Sequence, residues 1–101
     1  MNFGLSEKEI NLMREVFKKF PEAETVFIYG SRAKGNYKKT SDIDLAVRFA
    51  KGSVGSIAKM KSILEDLPII YEIDLADEAE ITAGNFKNEY EKTKQIFWKN
   101  N

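Results

Sequence analysis

Apolar residues in this chain switch from helical to strand-like spacing and back several times within 101 residues. Behind Ser6 and Glu9, which form a capping-box pattern, Ile10, Met13, Val16, Phe17 and Phe20 recur at helical spacing as far as Pro21. Thr25–Tyr29 is β-branched and aromatic and predicts a short buried strand that ends at Gly30-Ser31. A short helix from Ser31 and a second strand over Asp42–Phe49 follow. After a loop over Lys51–Ser56, Ile57, Met60, Ile63, Leu64 and Leu67 form one helical face closed by Pro68. Ile69–Leu75 reads as a third strand. Phe86, Tyr90 and Phe97 read as the face of a final helix, with Ile96 at its margin and Trp98 off the stripe. The expected order is α-β-α-β-α-β-α. Elements that alternate in this way bury their apolar faces by setting helices against one sheet. The expectation is an α/β (α+β) fold that occupies residues 1–101 as a single domain.

The chain has no His and no Cys. That excludes Ser-His-Asp and Cys-His chemistry, disulfide scaffolds, zinc fingers and any metal centre that needs nitrogen or sulfur ligands. Catalysis would fall to carboxylates, Lys, Ser, Thr, Tyr or a hard cation held by oxygen. Lys plus Arg equals Asp plus Glu, 16 each, which disfavours a globally basic nucleic-acid binder. The longest apolar run, Val26–Tyr29, cannot span a bilayer, and MNFGLSEKEI is too polar for a secretory leader. A cytoplasmic location without membrane contact is expected.

Asp42 and Asp44 are two residues apart on a strand, so both point to one face while Ile43, Leu45 and Val47 point to the other. Such alternation is common on half-buried strands, but two neighbours change its meaning. Gly30 permits a tight turn and close approach of a ligand to the backbone. A helix that starts at Ser31 directs free N–H groups and its dipole toward an anion such as phosphate. Arg32, Lys34, Lys38 and Lys39 lie between that turn and the aspartates with no acid among them. A cationic loop beside paired carboxylates is what a metal–polyphosphate complex requires. Adjacent carboxylates repel unless a cation joins them, and the oxygen-only donor set fits Mg²⁺ or Mn²⁺. A third acid would complete a two-metal site. Asp74 ranks first for that place, Glu72 second and Asp77 third.

Gly30-Ser31, ten intervening residues, then Asp42-Ile43-Asp44 resembles the GSx10DxD signature of the DNA-polymerase-β-like nucleotidyltransferase superfamily. The size and the order of elements are similar to its minimal nucleotidyltransferases (MNT). The resemblance implies a mixed sheet with a polymerase-β-palm-like arrangement. It implies two divalent metals on Asp42, Asp44 and Asp74, with Asp74 also orienting or deprotonating an acceptor hydroxyl. It implies nucleotide binding by Gly30, Ser31 and Arg32, and transfer of a nucleoside monophosphate, AMP from ATP, with release of pyrophosphate. Minimal members are commonly paired with an all-helical HEPN protein, and in several pairs the nucleotidyltransferase is the antitoxin that adds AMP to a tyrosine of the toxin. The implied partners are thus a nucleoside triphosphate and a helical protein encoded nearby.

Two readings compete with this. The chain could neutralise a helical partner without turnover, or bind nucleic acid through the Arg32–Lys39 segment, although four clustered bases on a neutral chain make the latter weak. Tyr29 and Tyr37 flank the turn and are read as strand and loop packing before base stacking. Trp98 is left open between a partner anchor and packing on the terminal segment.

Overall fold

A computed structural model describes residues 2–53 and 55–100. Position 54, within the loop expected over Lys51–Ser56, and the two end positions of the span 1–101 lie outside the described residues. The elements run α1 (Glu7–Lys18), β1 (Ala23–Tyr29), α2 (Ser31–Lys34), β2 (Ile43–Phe49), α3 (Ile57–Glu65), β3 (Ile73–Asp77), a 3-10 turn (Glu78–Glu80), α4 (Gly84–Thr93) and β4 (Gln95–Lys99). Helices and strands alternate as expected.

α1 starts where its capping box places it. The Glu9 N–H donates to Ser6 Oγ at 3.1 Å, and the Ser6 N–H donates to Glu9 Oε1 at 2.9 Å. The stripe Ile10, Met13, Val16 and Phe17 is buried. Ser56 caps α3 by accepting from the Lys59 N–H, and α3 buries Met60 and Leu64.

The sheet order is β3-β2-β1-β4. β1 lies antiparallel to both β2 and β4, while β2 and β3 are parallel. A parallel pair needs a crossover, and α3 supplies it. Ile43, Leu45, Val47, Ile73 and Leu75 face the α1 and α3 side, where the larger core lies. Phe27, Tyr29 and Ala46 face the other way and meet Ile81 and Tyr90. The alternation along β2 therefore does place Asp44 on the face opposite the main core.

Two segments differ from expectation. The predicted final helix is interrupted at Lys94, whose φ −59° and ψ 138° are extended. Gln95–Lys99 then pairs with β1 as a fourth strand. Phe97 enters the main core 6.3 Å from the Phe3 ring, and Trp98 packs 6.1 Å from the Phe17 ring on α1. Trp98 is thus a partly buried strand residue packed against the edge of the main core. The third strand begins at Ile73 rather than Ile69 and continues to Asp77. Ile69–Tyr71 forms the connection from α3, and Ile70 is 89% exposed.

Candidate active site

β1 and β2 run antiparallel, so the end of β1 meets the start of β2, with Tyr29 opposite Asp44. β3 runs parallel to β2 with Asp74 opposite Asp44. Three separate elements thereby deliver the Gly30-Ser31 turn, the Asp42/Asp44 pair and Asp74 to one corner of the sheet. Asp42 and Asp74 are exposed and Asp44 is partly buried.

Gly30 adopts φ +75° and ψ −152°, a conformation essentially restricted to glycine. A Cβ there would lie 2.8 Å from Asp44 Oδ2, so the missing side chain is also what admits the carboxylate. Ser31 opens α2 directly after this turn, and the first N–H groups of a helix have no intrahelical acceptors. The Gly30 N–H itself is engaged by Thr93 Oγ1 at 3.1 Å, and Gln95 Nε2 donates to Ala33 O at 2.8 Å. The end of α4 and the start of β4 therefore fix the turn from behind.

Asp44 carries the electrostatic imprint of its neighbours. Burial, then the charges of Asp74 and Asp42, push its carboxyl up to about 6, against a smaller opposing effect of Arg32. Tyr29 responds to the same acids, since burial and then Asp44 and Asp74 raise its phenol to about 12. It remains neutral and forms an aromatic wall behind Asp44 with Tyr90, 5.0 Å away edge to face, and Phe86 at 5.9 Å. Glu78 secures that wall by accepting from the Tyr90 hydroxyl and from Arg48 Nε at 2.6 Å, with Lys94 at 3.6 Å. Burial favours the neutral form of Glu78, but these hydrogen bonds and charges together lower its pKa.

The structure treats the basic residues unequally. Arg32 is buried at 1% exposure; its Nε and Nη2 donate to Ser41 O at 3.1 and 2.7 Å, and Nη1 to Phe3 O at 3.0 Å. Its guanidinium also lies 4.4 Å from the Tyr71 ring and 5.3 Å from that of Tyr37. These contacts bind the loop from Lys34 to Ser41 to the start of the chain. Lys34 pairs with Glu89 at 3.0 Å, while Lys38 and Lys39 stand exposed on the loop.

Asp42, Glu72, Ile73, Asp74 and Lys61 line a cleft of about 160 Å³ at the N-terminal ends of β2 and β3. Lys61 was not apparent in the sequence, because a lysine beside the apolar stripe of a helix looks like any solvated position. Asp77 lies at the opposite end of β3, beside Arg48 and Glu78, away from this cleft. Among the described residues no group of three acids converges tightly enough to form a ready-made metal centre. The donor set nevertheless fits a hard divalent cation: oxygen-only, partly exposed, and with one member driven toward protonation by burial and then by the other two. Among the described residues no helix is long and apolar enough to cross a membrane.

Residues 11–101 match the family described as Polymerase beta, Nucleotidyltransferase. Among solved structures, a candidate nucleotidyltransferase from Sulfolobus solfataricus is 28% identical with a TM-score of 0.54, over 91% of this chain and 81% of that one. A toxin-antitoxin structure with AMP-PNP superposes with a TM-score of 0.66 at 22% identity, over 95% of this chain and 75% of that one. A mutant of the toxin-antitoxin MntA-HpeT gives a TM-score of 0.63 at 22% identity, over 95% and 74%. No curated protein matches the chain significantly.

Proposed function

We propose, from the premise that the chain belongs to the polymerase beta nucleotidyltransferase family and performs nucleotidyl transfer, that it moves AMP from ATP to a hydroxyl acceptor, a tyrosine of an all-helical HEPN-type partner. The observation that carries this reading is the register pairing of Asp44 with Asp74 beside the Gly30-Ser31 turn. The toxin-antitoxin neighbours, one of them with AMP-PNP, support an adenine nucleotide and a protein partner.

In this reading Asp42, Asp44 and Asp74 hold Mg²⁺ or Mn²⁺, which when bound neutralises the triphosphate and acidifies the acceptor hydroxyl. The first N–H groups of α2 and the Ser31 hydroxyl cradle the outer phosphates. Arg32 ties the segment after that turn to Ser41 and Phe3, and its charge acts on Asp44. Asp74 accepts the acceptor's proton as the hydroxyl oxygen bonds to the α-phosphorus and the bond to pyrophosphate breaks. Alignment and charge stabilisation supply most of the rate.

The test incubates the chain with α-labelled ATP, Mg²⁺ and, where the adjacent gene encodes a helical protein, the product of that gene. Mass spectrometry should find AMP on a tyrosine of the partner, and Asp74→Ala should remove it. Label that appears on no protein or small molecule while ATP still binds would overturn catalysis in favour of a neutralising module.

A further inference from the structure

The acid cleft does not end at Asp74. A groove of about 290 Å³ adjoins it and shares Lys61, Glu72 and Ile73 as lining residues. Its apolar wall includes Leu64, Ile69, Ile70 and Tyr71. Ile70 stands 89% exposed, whereas Ile73, three residues on, is 6% exposed. Ile70 is the one fully exposed large apolar residue of this lining; Ile69 and Tyr71 beside it are half-buried, and together they form a small apolar surface at the mouth of the cleft. Pro68 stiffens the segment, and the Ile69 N–H turns back to Leu67 O at 2.8 Å. Tyr71 is stacked under Arg32, the residue that organises the phosphate turn. The Tyr71 contact with Arg32 places this groove next to the corner that holds Asp42 and Asp74.

We infer that this groove receives the acceptor: an apolar polypeptide segment with flanking basic residues, whose tyrosine reaches past Lys61 to Asp74. The inference rests on the proposed transfer to a protein hydroxyl. Continuity supplies the direction, because a side chain that follows the shared residues Lys61, Glu72 and Ile73 arrives at Asp74. Charge supplies the partner class. Glu65 and Glu72 outnumber Lys61 along the lining, which favours basic flanks and repels a polynucleotide backbone. Among the described residues Lys61 forms no ion pair, so its ammonium is available at the junction to donate to the acceptor oxygen.

The probe is the peptide acetyl-Lys-Leu-Tyr-Leu-Lys-amide, titrated into the full chain with ¹³C-labelled methyl groups. Saturable shifts at Leu64, Ile69 and Ile70 are expected. Ile70→Lys, at a position too exposed to threaten the fold, should weaken peptide binding about tenfold, the scale of one lost apolar contact plus a like charge. Mg²⁺–ATP affinity by calorimetry should stay unchanged. Shifts confined to other methyls, no shifts at all, an unaltered affinity in the variant, or a single-stranded RNA that moves these methyls in place of the peptide would each overturn the inference. A failure of the chain to transfer AMP to any protein would instead refute the parent reading, while the peptide titration reports on the groove by itself.

Discussion

Asp44→Asn should stabilise the metal-free protein, and by an amount that depends on pH. Burial and the charges of Asp74 and Asp42 raise the Asp44 carboxyl from 3.8 to about 6. In the unfolded chain the group ionises near its ordinary value. Between the two values the folded state holds a proton that the unfolded state has lost, so stability falls as pH rises through this window. A shift of about two units corresponds to roughly 3 kcal/mol at most. Because Asp44 is only partly buried, solvent screening reduces this to about 1–2 kcal/mol. The neutral amide escapes the penalty. Above pH 7 in EDTA the Asp44→Asn variant should melt about 5–10 °C higher than the parent, by the scaling for a domain of this size. Near pH 4 the two should melt together. Differential scanning calorimetry at both pH values decides the matter. A variant less stable at pH 7.5, or an advantage of equal size at pH 4, would refute the repulsion argument and make the pair a structural feature.

Gly30→Ala should cost about 2–3 kcal/mol in urea unfolding, from positive-φ strain and the 2.8 Å clash with Asp44, and should abolish transfer. Arg32→Lys should lower stability by about 3 kcal/mol, because one ammonium cannot span Ser41 O and Phe3 O as the fork does. Lost nucleotide affinity at full stability would instead assign Arg32 to the phosphates. Isothermal calorimetry should find Mg²⁺ at least tenfold tighter with a nonhydrolysable ATP analogue than without it, since Mg²⁺ relies on substrate phosphates to complete its shell. Equal affinities would contradict a substrate-assisted site.

The corner that gathers Gly30, Asp44 and Asp74 was legible as a candidate site because its parts are local patterns. A glycine and serine end a strand, and two aspartates alternate with apolar residues along another. What escaped the sequence depends on distant contacts. Ile96-Phe97-Trp98 is a run of adjacent apolar residues with no period of its own, and Phe97 happens to continue the spacing of Phe86 and Tyr90. Only pairing with β1 makes it a strand. Ile69-Ile70-Tyr71 has high strand propensity, yet the ladder to β2 starts only at Ile73, and the apolar run before it stays outside the sheet. Arg32 looked like one of four loop cations, and its two backbone acceptors come from residues nine and twenty-nine positions away. Lys61 has no local pattern at all.

The clamp of Thr93 and Gln95 on the Gly30–Ala33 turn has a consequence for synthesis. The partners are separated by 63 and 62 positions. While a ribosome makes this chain, the turn, Asp42 just before β2 and Asp44 within it emerge long before the residues that hold the turn in shape. A nascent chain as far as α3 carries Gly30, Ser31, Asp42 and Asp44, yet its Gly30–Ala33 turn still lacks those two anchors. On the proposed function, nucleotide affinity should therefore arise late, once β4 has left the exit tunnel and closed against β1.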